Sequence, residues 1–188
     1  MKSLRDKKYK MKKLSLEELN RISVDEFKQT DKIPVVVVLD NIRSLNNIGS
    51  VFRTSDAFLI EKIYLCGITA TPPHKDIHKT ALGATDSVDW EYFEDTLQLV
   101  EKLKSDNYII ASIEQVEKSV MLNEFTPESG EKYAVILGNE VKGVRQDVVD
   151  NSDLCIEIPQ FGTKHSLNIS IATGVVLWDF FNKIKYTS

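Results

Sequence analysis

Five consecutive apolar residues, Val35, Val36, Val37, Val38 and Leu39, constrain the fold of this chain more than any other stretch. A mostly β-branched run with no polar alternate reads as a strand covered on both faces, and hence as a central strand of a parallel sheet. Parallel neighbours need crossover connections, so helices are expected on both faces. Further strands are predicted at 62–66, 88–93, 108–113, 133–137 and 154–158, which makes a mostly parallel six-stranded α/β sheet. Between them, helices are expected near 47–59, around 80–85 and over 94–105, the last with Leu97, Val100 and Leu103 at helical spacing. A long loop over 67–78 is expected to hold Pro72, Pro73, His74 and His78.

Before the first strand, Ser15 with Glu18 and Ser23 with Glu26 match the capping-box spacing. Two short helices are expected there, burying Leu16, Leu19, Ile22, Val24 and Phe27. Residues 167–181 are apolar nearly all round, which predicts a buried C-terminal helix with Ser166 at its N-cap. The chain enters that helix through Pro159 and Gly162, and its first turn carries Ser166, Asn168 and Ser170. Polar groups on a core helix need partners. Either they cap the helix or they face a ligand.

The length of 188 residues suits one compact domain. Residues 1–13 hold seven basic residues against Asp6, a charge of +6, on a chain whose net charge is −4. The overall acidity argues against a general nucleic-acid coat protein. The arm itself reads either as a solvated tail or as a segment that tracks a phosphate backbone. No apolar run reaches the length of a membrane span, and the charged N-terminus does not resemble a secretory signal, so a cytoplasmic protein is expected. Cys66 and Cys155 are far apart, outside any ligand spacing, and read as small core residues. His74 and His78 lack the partner of an H-E-x-x-H site, so no metal is expected.

In parallel sheets ligands sit beyond the carboxyl ends of the strands, and three loops there have unusual residues. After the first strand, Asn46 or Asn47 can cap a helix in which Gly49 allows close approach. Arg53 on that helix is either a surface charge or a phosphate clamp. After the fifth strand come Gly138, Asn139, Glu140, Val141, Lys142 and Gly143, which form neither a P-loop nor a dinucleotide fingerprint. The third loop is the Pro159/Gly162 entry to the C-terminal helix.

Together these segments resemble the SpoU (TrmH-like) branch of the SPOUT superfamily of RNA methyltransferases. The matching residues are Asn47-Ile48-Gly49 with Arg53-Thr54, Leu137-Gly138-Asn139-Glu140 with Gly143-Val144, and Ile158-Pro159 with Gly162 and Ser166-Leu167-Asn168-Ile169-Ser170-Ile171-Ala172. The resemblance runs from about Val35 to Phe181. It implies a C-terminal deep trefoil knot, a homodimer, S-adenosylmethionine bound in the knot, and methylation of a ribose 2′-hydroxyl in structured RNA. Residues 33–188 would then be the methyltransferase domain, preceded by the arm and short helices of 1–32. Without the extra N-terminal domain of several rRNA-directed relatives, tRNA is favoured over rRNA. By resemblance Arg53 is catalytic, with Asn47, Glu140, Ser166 and Asn168 positioning it and the ribose. Glu140 could instead hold Arg53 as an ion pair. The donor would rest on Gly138, Ile158 and Leu167, with Ser112 and Ile113 nearby. A base-directed methyltransferase and a non-catalytic RNA-binding or ribosome-assembly factor are the alternatives.

Overall fold

The computed structural model describes residues 12–15, 17–164 and 166–186. Residues 1–11 of the basic arm, Leu16 and His165 lie outside them. The run read as a central strand is β1, Ile33–Asp40, and it is paired in parallel on both sides. Its neighbours are β2, Ile60–Cys66, and β6, Lys132–Leu137. With β3 (Trp90–Phe93), β4 (Tyr108–Ile113), β5 (Val120–Met121) and β7 (Leu154–Glu157) the sheet order is β3-β2-β1-β6-β4-β7-β5, and every pairing is parallel. The expected six strands are thus seven. The extra one, β5, is a two-residue edge strand too short to carry a periodic pattern.

Alternate residues of β1 feed two cores. Val35, Val37 and Leu39 pack with Ile48, Val51 and Phe52 of α2 (Leu45–Ala57) and with Val176, Leu177 and Phe180 of α7 (Ile169–Tyr186). Val36 and Val38 pack with Leu99, Val100 and Leu103 of α5 (Thr96–Ser105) and Val148 of α6 (Gln146–Asp150). Each fully buried Val or Leu contributes about 1.5–3 kcal/mol, so this one strand ties both layers together. Cys66 is buried at the end of β2, where desolvation pushes its thiol up to about 12. It is free and Cys155 is free.

The N-terminal capping boxes form, but most of the expected burial does not. Ser23 and Glu26 exchange backbone and side-chain bonds at the start of α1 (Val24–Gln29), and Ser15 and Glu18 do so at a 3₁₀ turn over Glu17–Leu19. Of the apolar residues here Phe27 is buried, whereas Leu19, Ile22 and Val24 are exposed. A capping pattern specifies a helix start and says nothing about which face meets the core.

Two helices lie between β2 and β3, where one short piece was expected. They are α3 (Lys75–Ala81) and α4 (Ala84–Ser87), separated by Leu82 and Gly83 in left-handed conformations. Only Ile77 and Ala81 of α3 are buried, too sparse a stripe to read from sequence. Gly49 of α2 meets the backbone of α3 at Ile77, and a side chain on it would overlap Ile77 and Thr80. The largest correction concerns α7. Ile169, Thr173, Val176, Leu177 and Phe180 are buried, yet Ile171, Val175 and Trp178 are 56%, 39% and 53% exposed along the opposite face. No helix among the described residues is long and apolar enough to cross a membrane.

Candidate functional site

A cavity of about 330 Å³ opens beyond the carboxyl ends of β4, β6 and β7, and the entry to α7 closes its far side. That volume falls within the roughly 300–1,000 Å³ of small-molecule sites. Its floor is apolar, with Ile113, Leu137, Ile156, Ile169 and Ala172. Over the floor folds the loop after β6, closed by reciprocal backbone bonds between Asn139 and Gly143 of 3.0 and 2.8 Å. Gly138 lies so close to this closure that a Cβ on it would overlap the backbone of Gly143 and Val144. Gly143 has φ +70°, a left-handed conformation that favours glycine.

One side chain of the loop and two from the strand ends hold it in place. Asn139 donates from Nδ2 to the Asn41 carbonyl at 2.9 Å, and the Val144 N–H donates to Oε1 of Glu114 at 2.6 Å. The fully buried Asp40, at the end of β1, accepts from the Arg145 N–H at 3.1 Å and from the Thr96 hydroxyl at 2.5 Å. The Arg145 side chain then pairs with Asp95 at 3.0 Å and with Asp147. Its guanidinium bonds hold both carboxyls below their ordinary range. The loop is therefore fixed at both ends before any ligand arrives.

Beside the cavity three predicted residues meet. Asn168 donates from Nδ2 to Oδ1 of Asn47 at 3.2 Å, and Asn47 donates from Nδ2 to Oε1 of Glu140 at 3.2 Å. Asn168 also caps α7, with Oδ1 accepting from the Ser170 N–H at 2.9 Å and from its hydroxyl at 2.7 Å. Asn168, and not Ser166, thus begins the helix. Ser166 lines the cavity and is exposed. Neither Asn46 nor Asn47 caps α2. Ser44 does, accepting from the Asn47 N–H at 3.3 Å, which frees the Asn47 amide for its cross-chain contacts.

Arg53 stands apart. It lines a second cleft, of about 300 Å³, together with Arg21, Asp56 and Leu82. Six residues separate it from Asn47, which places it about 9 Å along the helix and about 120° around it. Among the described residues its side chain has no hydrogen bond or ion pair, so the alternative pairing with Glu140 is not formed; Glu140 is held by Asn47 instead. Of the residues expected to support a donor, Gly138, Ile158, Leu167 and Ile113 line the cavity. Ser112 does not. It is buried, and its hydroxyl bonds that of Ser152 at 2.8 Å.

Sequence reasoning missed Glu114, Gln160 and Ala172 in the lining. Glu114 was accessible in principle, because it directly follows a strand whose end faces the ligand side. Ala172 was not, since its role depends on how α7 docks. Among the described residues no group of three or more His, Cys, Asp or Glu could hold a metal ion.

Residues 34–178 match the model of the SpoU rRNA Methylase family. A 23S rRNA (guanosine-2′-O-)-methyltransferase, RlmB, of Blochmanniella floridana is 28% identical over 155 residues, covering 82% of this chain and 59% of that protein. The chain spans less than two thirds of the length of curated relatives such as this one. Among solved structures, the A. aeolicus TrmH/SpoU tRNA modifying enzyme superposes with a TM-score of 0.74 at 24% identity, covering 85% of this chain and 79% of that one. An AdoMet-bound rRNA methyltransferase from Sinorhizobium meliloti superposes with a TM-score of 0.73 at 23% identity, covering 81% and 58%. These two likenesses are of fold. The family match spans all three strand-end loops as well as the sheet, and on that ground the chain belongs to the SpoU rRNA methylase family.

Proposed function

We propose that this chain is an S-adenosylmethionine-dependent methyltransferase acting on a ribose 2′-hydroxyl of structured RNA, with residues 33–188 as its catalytic domain. The observation that carries the reading is the pre-shaped cavity under the Gly138 loop, next to the Asn168–Asn47–Glu140 chain. The cavity suits the donor chemically. An apolar floor can take an adenine, and backbone groups around Gly138, Ile158 and Leu167 can bond it without demanding particular side chains. Glu114, Glu140 and Glu157 outnumber Lys142 around the wall, which favours a ligand bearing a cationic centre. When bound, S-adenosylmethionine supplies an electrophilic methyl group on a sulfonium.

The protein's part is placement and charge. Glu140 orients the Asn47 amide, Asn47 orients Asn168, and the chain borders the space where a ribose would lie. Arg53 cannot act as the base, because a guanidinium stays protonated. It serves as a clamp on the adjoining phosphate that stabilises the developing alkoxide. The hydroxyl proton can leave to that phosphate or to water.

Arg53 and the donor cavity share no lining residue within one protomer, so the reading calls for a second copy. Its seat is the exposed apolar face of α7, where Trp178 stacks on Phe181 and packs on Phe58, the residue that ends α2, at ring distances of 6.3 and 5.8 Å. A homodimer formed across α7 and the adjoining face of α2 brings Arg53 towards its partner's cavity. Trp178→Glu is expected to weaken dimerisation at least about 30-fold, as for an aromatic interface anchor, with the helical content of the chain retained. Light scattering across a dilution series reads this out. A dimer of unchanged affinity removes α7 from the interface.

The trefoil knot belongs to the same proposal. β7 lies three positions from β1 in the sheet order, yet α7 packs on α2, which follows β1. A segment returning across β4 and β6 and threaded beneath the Gly138 loop would make both contacts and also enclose the cavity. The activity is tested by incubating the protein with methyl-labelled S-adenosylmethionine and tRNA or rRNA from a strain lacking it, followed by nucleoside analysis. The expected product is a 2′-O-methylated nucleoside in one RNA fraction. Label on a base, or in neither fraction, contradicts the reading.

A further inference from the structure

The cleft that holds Arg53 is walled on one side by residues that precede the matched 34–178. Arg21, Ile22 and Val24 supply that wall, and Leu82 stands at its rim. The segment is anchored. Ser23 and Glu26 close their capping box with bonds of 2.7 and 3.2 Å, and Phe27, one turn on, is buried in the main core. Arg21 therefore sits two residues before a fixed point.

Two guanidinium groups in one cleft repel each other, and neither has an ion pair among the described residues. Asp56 and Asp86 also line the cleft and formally balance its two charges, yet neither is within ion-pair reach of an arginine among the described residues, and Asp56 accepts from the Ser87 hydroxyl at 2.5 Å. Ile22, Val24 and Leu82 are exposed around the two arginines. A cleft with unpaired planar cations and an apolar rim suits a ligand with anionic groups spaced along an otherwise less polar body. A ribonucleotide chain has that chemistry.

We propose that Arg21 is a second RNA phosphate-binding residue, holding the phosphate next to the one clamped by Arg53, so that the N-terminal segment forms part of the substrate site. This rests on the RNA-methyltransferase reading and adds a residue that the family match does not include. Arg21 acts in substrate binding, away from the reacting atoms.

The test uses the full chain and two probes, fluorescein-labelled bulk tRNA and fragmented rRNA, titrated between about 50 and 200 mM salt. Arg21→Gln is expected to weaken binding of one probe roughly fivefold at the low end and to flatten the log–log salt slope by about 0.7–0.9. It should leave thermal stability and S-adenosylmethionine affinity unchanged, and turnover should show a raised KM with kcat preserved. Lys132→Gln, which removes the same charge at a residue outside the cleft, is expected to leave the slope unchanged. An unaltered slope for Arg21→Gln, an equal flattening by Lys132→Gln, or no binding of either probe by the wild type overturns the proposal. If the wild type transfers no methyl group but Arg21→Gln still flattens the slope, the activity reading fails and this one stands. If transfer is normal and Arg21→Gln is silent, this one fails alone.

Discussion

Gly138→Ala is expected to abolish measurable binding of S-adenosylmethionine, lowering affinity at least about 100-fold. The added methyl would overlap the backbone of Gly143 and Val144, and backbone cannot rotate aside as a side chain can. Room appears only if the two Asn139–Gly143 bonds open, which also pulls Val144 from Glu114. Overpacking of this kind costs about 1–3 kcal/mol. Here the strain is concentrated in the roof of the proposed donor cavity. Gly162→Ala is the matched control, because a Cβ at that position meets nothing within 4 Å. Calorimetric titration of the two variants reads the difference directly. Wild-type affinity in Gly138→Ala would separate the loop from donor binding.

Arg53→Ala is expected to lower the rate of methyl transfer by about 10²–10³-fold or more, the usual consequence of removing a donor aimed at a developing oxyanion. Donor affinity should stay within a few-fold of wild type, since Arg53 lies outside the proposed donor cavity. Thermal stability should also hold, because Arg53 is exposed and bonded to no described residue. Arg53→Lys keeps the charge and loses the planar fork, so a partial rate is expected. Single-turnover kinetics with saturating donor are the appropriate measurement. Turnover near wild type in Arg53→Ala would take this residue out of the mechanism.

Much of the fold was legible because β1 announces itself. A run of five apolar residues admits few placements, and both cores follow from its alternate residues. The three strand-end loops were legible for a similar reason, since glycine, proline and asparagine interrupt otherwise apolar patterns at fixed places. The contacts between loops were not. Asn47 and Glu140 are 93 residues apart and Asn168 is 121 from Asn47, so only the resemblance grouped them. Ser112 was misplaced because a residue inside a strand can face either layer, and this one faces Ser152.

The exposed face of α7 shows where pattern reading fails in principle. An apolar helix surface carries the same residues whether it meets its own core or another chain. Ile171, Val175 and Trp178 therefore looked like core. Arg53 is a different case. Its six-residue offset from Asn47 already implied that the two point in different directions, and the shared motif obscured this.

The central claim is that the cavity beneath Gly138 binds a sulfonium donor. Calorimetric titration of the wild-type chain with S-adenosylmethionine tests it most directly. Saturable binding of one molecule per chain is expected, lost in Gly138→Ala and retained in Arg53→Ala. No heat and no saturation with the wild type, or equal binding by the Gly138 variant, would contradict it.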